Sequence, residues 1–273
     1  MAFLVLAQTM DETTMDLLSQ VPWTFTGIPA LALLGFAGLA FFGAGVVKGA
    51  LGVGLPLVAV PLLSLVLPPP TAISLLVVPV LISNLWQAWQ ADKPARYAMR
   101  FKWLSLSLLV STVVSVRLSL ALPTELLSVL VAASVICAVV LMMYKPQGSI
   151  PSEQELPLGI GVGVLAGMMG GLSSMTGPFI ITYLLALKLG RDEFVGSISI
   201  IYLFGMIPLY LALAYYGRLG LVETSMSLLA LAPMALGMMI GRRMRAFLSE
   251  EAFRRVLLGF LASVAVLLVS KGA

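Results

Sequence analysis

The sequence predicts an all-α, polytopic membrane protein of about ten helical segments. They form two halves of inverted topology, each a broken Gly/Pro helical hairpin followed by three spans. Three observations carry this. First, the 273 residues are 60% hydrophobic and only 10% charged, against roughly 25% charged in ordinary soluble domains, and the mean hydropathy is +1.07. A soluble fold of this length could not cover so much apolar surface, and disorder needs the opposite composition. Second, the charges cluster in short loops and leave apolar stretches near the ~20 residues that cross hydrocarbon, where backbone satisfaction demands helices. Third, two Gly/Pro-rich interruptions recur at one spacing.

In chain order, residues 1–26 read as a polar or interfacial lead-in. Their apolar run is too short for a signal peptide and has no basic region before it, and Asp11, Glu12 and Asp16 follow. Region 27–67 is long and interrupted by Gly and Pro. Spans at 71–91, 103–121 and 125–144 complete a first repeat, 27–144, and residues 145–156 form a linker. Interrupted region 157–189 and spans at 194–216, 224–242 and 254–271 make a second repeat, 157–271. The two most basic loops, 92–102 and 242–255, are expected in the cytoplasm. Walking outward from each puts the 145–156 linker inside, and Pro68–Pro70, the 217–223 loop and both termini outside. Region 27–67 then begins and ends outside, and 157–189 inside, which is the mark of an inverted repeat. The letters agree: Gly45 and Gly167, Gly49 and Gly171, Pro56 and Pro178 each differ by 122.

Composition also excludes chemistry. There is no His and one Cys, Cys137, so His-based acid–base catalysis, His/Cys zinc sites and an intrachain disulfide are absent, and no cofactor or metal is expected. The net charge of +4 sits in loops, where it sets topology, and gives no case for nucleic acid. The expected partners are the lipid bilayer and a small anion, with a homo-oligomer permitted.

The breaks carry the functional argument. Interior Gly and Pro cost a helix about 1 and 3 kcal/mol relative to Ala, and freed backbone groups are tolerated where they are buried in protein or line a cavity. Gly45/Gly49 and Gly167/Gly171 also have the spacing of close helix packing, and both readings stand. Gly49, Gly52 and Gly54 give close backbone access in the first break. Ser173, Ser174, Thr176 and Gly177 present hydroxyls and backbone in the second. Pro56 and Pro178 suit the first turn of a new helix, whose free N–H groups and positive dipole bind anions; Ser and Thr there are also ordinary caps. Lys48 is a lone cation far from any charged loop; such a residue is a functional candidate, with snorkelling to an interface as the alternative. Asn84 and Gln87 share a helix face, to line a path or to knit helices. Tyr202, Ser197 and Ser199 lie on the equivalent span of the second half.

The stretches GAGVVKGALGVGLPLVAVPLL (43–63) and GLSSMTGPFIITYLLALKLGRDEF (171–194), with the two-halved layout, resemble the sulfite exporter TauE/SafE family, also called the toluene-sulfonate uptake permeases. The resemblance runs from about residue 30 to the C-terminus. It implies a bacterial inner-membrane carrier of sulfite, sulfonates or related small anions, exporting or importing. The family's Gly-rich break corresponds to Gly49, Gly52, Gly54 and Pro56, and again to Gly170, Gly171, Gly177 and Pro178. Ser173, Ser174 and Thr176 stand where that family carries glycines.

The reading is a secondary transporter, not an enzyme, that holds an anion between the two breaks. Backbone N–H groups, the three hydroxyls and Lys48 bind it while the halves rock to alternate access. An anion channel is one alternative. A membrane hydrolase built on Ser173 or Ser174 with Lys48 is another.

Overall fold

The computed structural model describes residues 30–143, 149–244, 247 and 250–272, and the regular elements among these are helices. The expected lead-in at 1–26 lies outside the described residues. Helices α1 (Ala30–Leu51) and α2 (Leu55–Ser64) form the first hairpin. Helices α3 (Pro69–Ser74) and α4 (Val77–Trp89) make one span, and α5 (Pro94–Arg100) occupies the basic loop. Helices α6 (Lys102–Leu120) and α7 (Thr124–Met143) follow. Then α8 (Ser152–Ser173) and α9 (Gly177–Ala186) form the second hairpin, before α10 (Arg191–Tyr215), α11 (Leu221–Met244) and α12 (Glu250–Gly272). Among the described residues, seven stretches of helix are long and apolar enough to cross a membrane, as a multi-pass membrane protein requires. Val110, Val113, Val114 and Leu118 of α6, with Val129, Ile136 and Val140 of α7, point their apolar side chains outward, the surface that hydrocarbon solvates.

The repeat is written into the helix bounds. Those of α1 and α8 differ by 122 at both ends, as do those of α2 and α9, and α3 and α10 start 122 apart. Helix α8 begins at Ser152, inside the stretch read as linker, because Glu153 and Glu155 in its first turn complement the positive end of the dipole.

The α3–α4 span lies antiparallel to α10. At one end Ser74 Oγ donates to the Arg218 carbonyl at 2.7 Å. Further along, Ser199 Oγ donates to Gln87 Oε1 at 3.0 Å. At the other end Gly196 meets Ala91 and Tyr97.

Glycines set the remaining packing. Helix α1 runs along α11, with Gly45 and Gly49 against the Met234 and Met238 carbonyls, and Gly237 and Gly241 against those of Phe42 and Val46. A Cβ at any of these four would strike backbone. Small residues permit that approach, and Cα–H···O contacts add ~0.5–1 kcal/mol each. Helix α8 runs along α6 on Gly163, Gly167 and Gly171. There Ser107, Ser111 and Ser115 of α6 donate to the carbonyls of Ile160, Val164 and Gly167 at 3.1, 2.8 and 2.9 Å. The first arm of each hairpin is therefore fastened to a span of the other half.

Candidate functional site: two helix breaks beside α4 and α10

Both α1 and α8 end in the same way. Gly52, at φ +82°, and Ser174, at φ +61°, turn the backbone left-handed. Each donates its N–H to the carbonyl four residues back, Gly52 to Lys48 and Ser174 to Gly170, at 2.7 Å in both. Two residues later a new helix starts, capped by Gly54 or Thr176 with proline in the first turn. The first N–H groups of α2 and α9 have no acceptor within their helices, and neither cap residue covers them with a side-chain bond.

At the first break the polar groups are joined to one another. Lys48, 2% exposed, donates from Nζ to Asn84 Oδ1 at 2.9 Å. Asn84 Nδ2 donates to the Val80 carbonyl at 2.9 Å. Gln87 Nε2 donates to the Gly52 carbonyl at 3.1 Å, and its Oε1 accepts from Ser199. The Lys48 amine is held by a neutral amide, and no described ion pair includes it.

At the second break several hydroxyls have no partner. Ser173 Oγ donates back to the Met169 carbonyl at 2.8 Å, and Ser174 Oγ to Met206 Sδ at 3.6 Å. Thr112 Oγ1, Thr176 Oγ1 and Tyr202 Oη are buried without a hydrogen bond. The Thr176 methyl and Thr112 Oγ1 converge on Gly170. Tyr202 Oη lies over Gly177, where a Cβ would come within 2.5 Å of it. A buried hydroxyl left unpaired costs about 1–3 kcal/mol, so three beside one helix N-terminus form a site with unspent hydrogen-bonding capacity.

Helix α10 links the two breaks through one stripe of side chains. Val195 faces Gly52, Ser199 bonds Gln87, Tyr202 covers Gly177 and Met206 accepts from Ser174. Because α4 and α10 are antiparallel and Gln87 pairs with Ser199, Asn84 and Tyr202, three residues further along their helices, lie at the same level. The Lys48 ammonium and the N-terminus of α9 thus share a depth.

Of the candidates read from the sequence, Lys48, Gly52, Asn84 and Gln87 are brought together at the first break. Thr176, Gly177 and Tyr202 gather at the second. Gly49 is not with them, since it faces Met238 on α11. Gly54 caps α2 at φ +99°. Thr112 was missed: it is one of six Ser and Thr residues in span 103–121, and nothing in the letters sets it apart.

The face that carries the basic loop is tied shut. Arg100 at the end of α5 holds Glu155 of α8 through Nε and Nη2, at 2.8 and 3.0 Å, and Glu193 of α10 through Nη1 at 2.8 Å. Tyr183 Oη donates to the Glu155 carbonyl at 2.8 Å. Nearby, Tyr97 Oη donates to Asp92 Oδ1. That bond holds the Asp92 carboxyl below the usual carboxylate range and pushes the Tyr97 phenol up to about 12.

No curated protein and no solved structure matches the chain. The family model described as sulfite exporter TauE/SafE matches residues 37–268, a range that holds most of the first hairpin, all of the second, both glycine seams and every residue of the two breaks. With that match over most of its length, the chain belongs to the sulfite exporter TauE/SafE family, whose members are membrane transporters of sulfite or related anions.

Proposed function

We propose that this protein is a secondary transporter of a small oxyanion, bound between the two breaks and released by alternating access in the bacterial inner membrane. The single observation that carries the reading is the second break. There a free helix N-terminus and three unpartnered buried hydroxyls, Thr112, Thr176 and Tyr202, lie level with the buried Lys48 ammonium. An oxyanion supplies the acceptors those hydroxyls lack, the helix N-terminus favours negative charge, and Lys48 gives the long-range attraction. Broken helices that present such ends at depth are a recurring way to hold a substrate in transporters.

The orientation expected from the charges places the Arg100 face in the cytoplasm and both termini in the periplasm. The chain has no His, so no imidazole relay carries protons. The open modes are sodium held by carbonyls and hydroxyls, a proton carried by the anion itself, and uncoupled movement. The hydrolase alternative is disfavoured by the bonds these groups make: Lys48 to Asn84, Ser173 to Met169 and Ser174 to Met206, so no Ser–Lys pair is assembled.

The test is sulfite uptake into proteoliposomes. A carrier gives saturable flux that other small oxyanions compete for, and imposed proton and sodium gradients separate the coupling modes. Flux that rises without saturation would replace the carrier with a channel. No flux above empty liposomes would remove both.

A further inference from the structure

At the end of the bundle opposite the Arg100 cluster is a cavity of about 330 Å³, bounded by the 67–71 turn, the 119–124 turn and the 217–226 segment. Its walls mix polar groups, Thr71, Ser119 and Thr124 among them, with apolar ones such as Leu67, Leu120, Leu127 and Met226, and the exposed Arg218 is its cation. The Arg218 guanidinium makes no ion pair or hydrogen bond among the described residues. The carboxylate beside it, Glu223, is engaged: its Oε2 accepts from the Gly220 N–H at 2.9 Å, at the start of α11. The volume lies at the small end of ligand pockets, which run from about 300 to 1,000 Å³.

The repeat says why a cavity exists here. Thr71 and Val222 line it, and each stands 122 positions from a member of the Arg100–Glu193 pair: Val222 from Arg100, Thr71 from Glu193. Where the basic-loop face joins two spans through an ion bridge, the equivalent pair on the opposite face is a threonine and a valine that cannot bond. The basic-loop face is closed by an ion bridge, and the opposite face by a hydrogen bond from Ser74 Oγ to the Arg218 carbonyl.

We propose that this cavity is a second anion site, a loading vestibule for a small organic anion with an apolar body, and that Arg218 receives its charged end. The proposal rests on the transport reading, and the occupant follows from the lining. One unpaired guanidinium takes one acid group. Leucine and methionine walls favour a short hydrocarbon tail over a bare inorganic ion.

The test is calorimetric titration of butanesulfonate into the full-length protein in nanodiscs of neutral lipid, beside R218Q and V222F. The first removes the cation and the second fills the cavity without changing a charge. R218Q is expected to weaken binding about tenfold or more, as loss of a charge-assisted pair does, and V222F to remove detectable binding. Either variant, folded and binding butanesulfonate like wild type, overturns the proposal. So does loss of wild-type binding when phosphatidylglycerol replaces the neutral lipid, which would give Arg218 to a headgroup. Arg218-dependent binding in a protein that fails to move sulfite would keep the vestibule and discard the transport reading. Saturable sulfite flux without Arg218-dependent binding would do the reverse.

Discussion

At the first break a left-handed Gly52 is surrounded by side chains that answer one another: Lys48 to Asn84, Gln87 to the Gly52 carbonyl, and Ser199 to Gln87. At the second, the same backbone turn is made by Ser174, and Thr112, Thr176 and Tyr202 beside it have nothing to bond. The two have nearly the same main-chain geometry and opposite side-chain economies. The repeat supplies the frame, two free helix ends at one level, and the divergence divides the labour. One break sets a buried lysine among amides and the other leaves buried hydroxyls without a hydrogen bond.

The substitution expected to damage that division most is Lys48→Met. It keeps the stem but leaves Asn84 Oδ1 without its donor, so stability should fall by about 1–3 kcal/mol, whereas sulfite flux should fall about 100-fold, on the scale of ~3 kcal/mol for losing a buried charged contact. Wild-type flux from a folded K48M protein would reduce Lys48 to a packing residue.

The second break is probed by Thr176→Val and Tyr202→Phe. Each deletes a hydroxyl that has no partner in the protein, so neither should lower the melting temperature. Each should weaken sulfite binding roughly tenfold, in line with ~1.5–3 kcal/mol for a hydrogen bond to a charged group. A drop in melting temperature with unchanged affinity would mean that these hydroxyls serve the fold.

Exchanging the two turn residues tests the shared frame. Gly52→Ala should cost about 1–2 kcal/mol, because a Cβ is strained at positive φ and would press on Val195 Cγ2 at 3.0 Å. Ser174→Gly relieves the same strain and should stabilise by up to about 1 kcal/mol in thermal unfolding. Equal destabilisation by both would break the equivalence of the two turns.

The smallest expected effect concerns Tyr97 and Asp92, whose counterparts 122 positions on are Leu219 and Ala214. Asp92 titrates below its unfolded value, so its contribution is present above about pH 4 and fades as pH falls further. Tyr97, raised to about 12, contributes below about pH 10 and loses its share as pH climbs through the raised value. Tyr97→Phe should therefore flatten both limbs of a stability–pH curve slightly, and identical limbs in the two proteins would show that the bond is idle.

Much of this architecture can be read from the letters. Apolar run lengths marked the spans, proline and glycine marked both breaks, and the separation of 122 between Gly45 and Gly167 reappears in the helix bounds. Lys48 stood out because a lone charge in an apolar run is rare. The rest depends on which helix lies beside which. A glycine at helical spacing signals close approach without naming its partner, so Gly49 read equally as access to a ligand, and only the fold puts Met238 against it. Whether a hydroxyl is satisfied is a property of space, which is why Thr112 looked like its neighbours. The early start of α8 turns on Glu153 and Glu155, charges that a count of apolar residues takes for the end of a span.

The crosswise glycine seams limit how the molecule can move. Two sequence halves swinging apart like a pair of doors would tear α1 from α11 and α8 from α6 at once. The bodies free to shift are mixed pairs, each drawing one helix from either side of the linker. A half made alone would show lipid a stripe of bare main chain, and its complement would be another copy of the missing half.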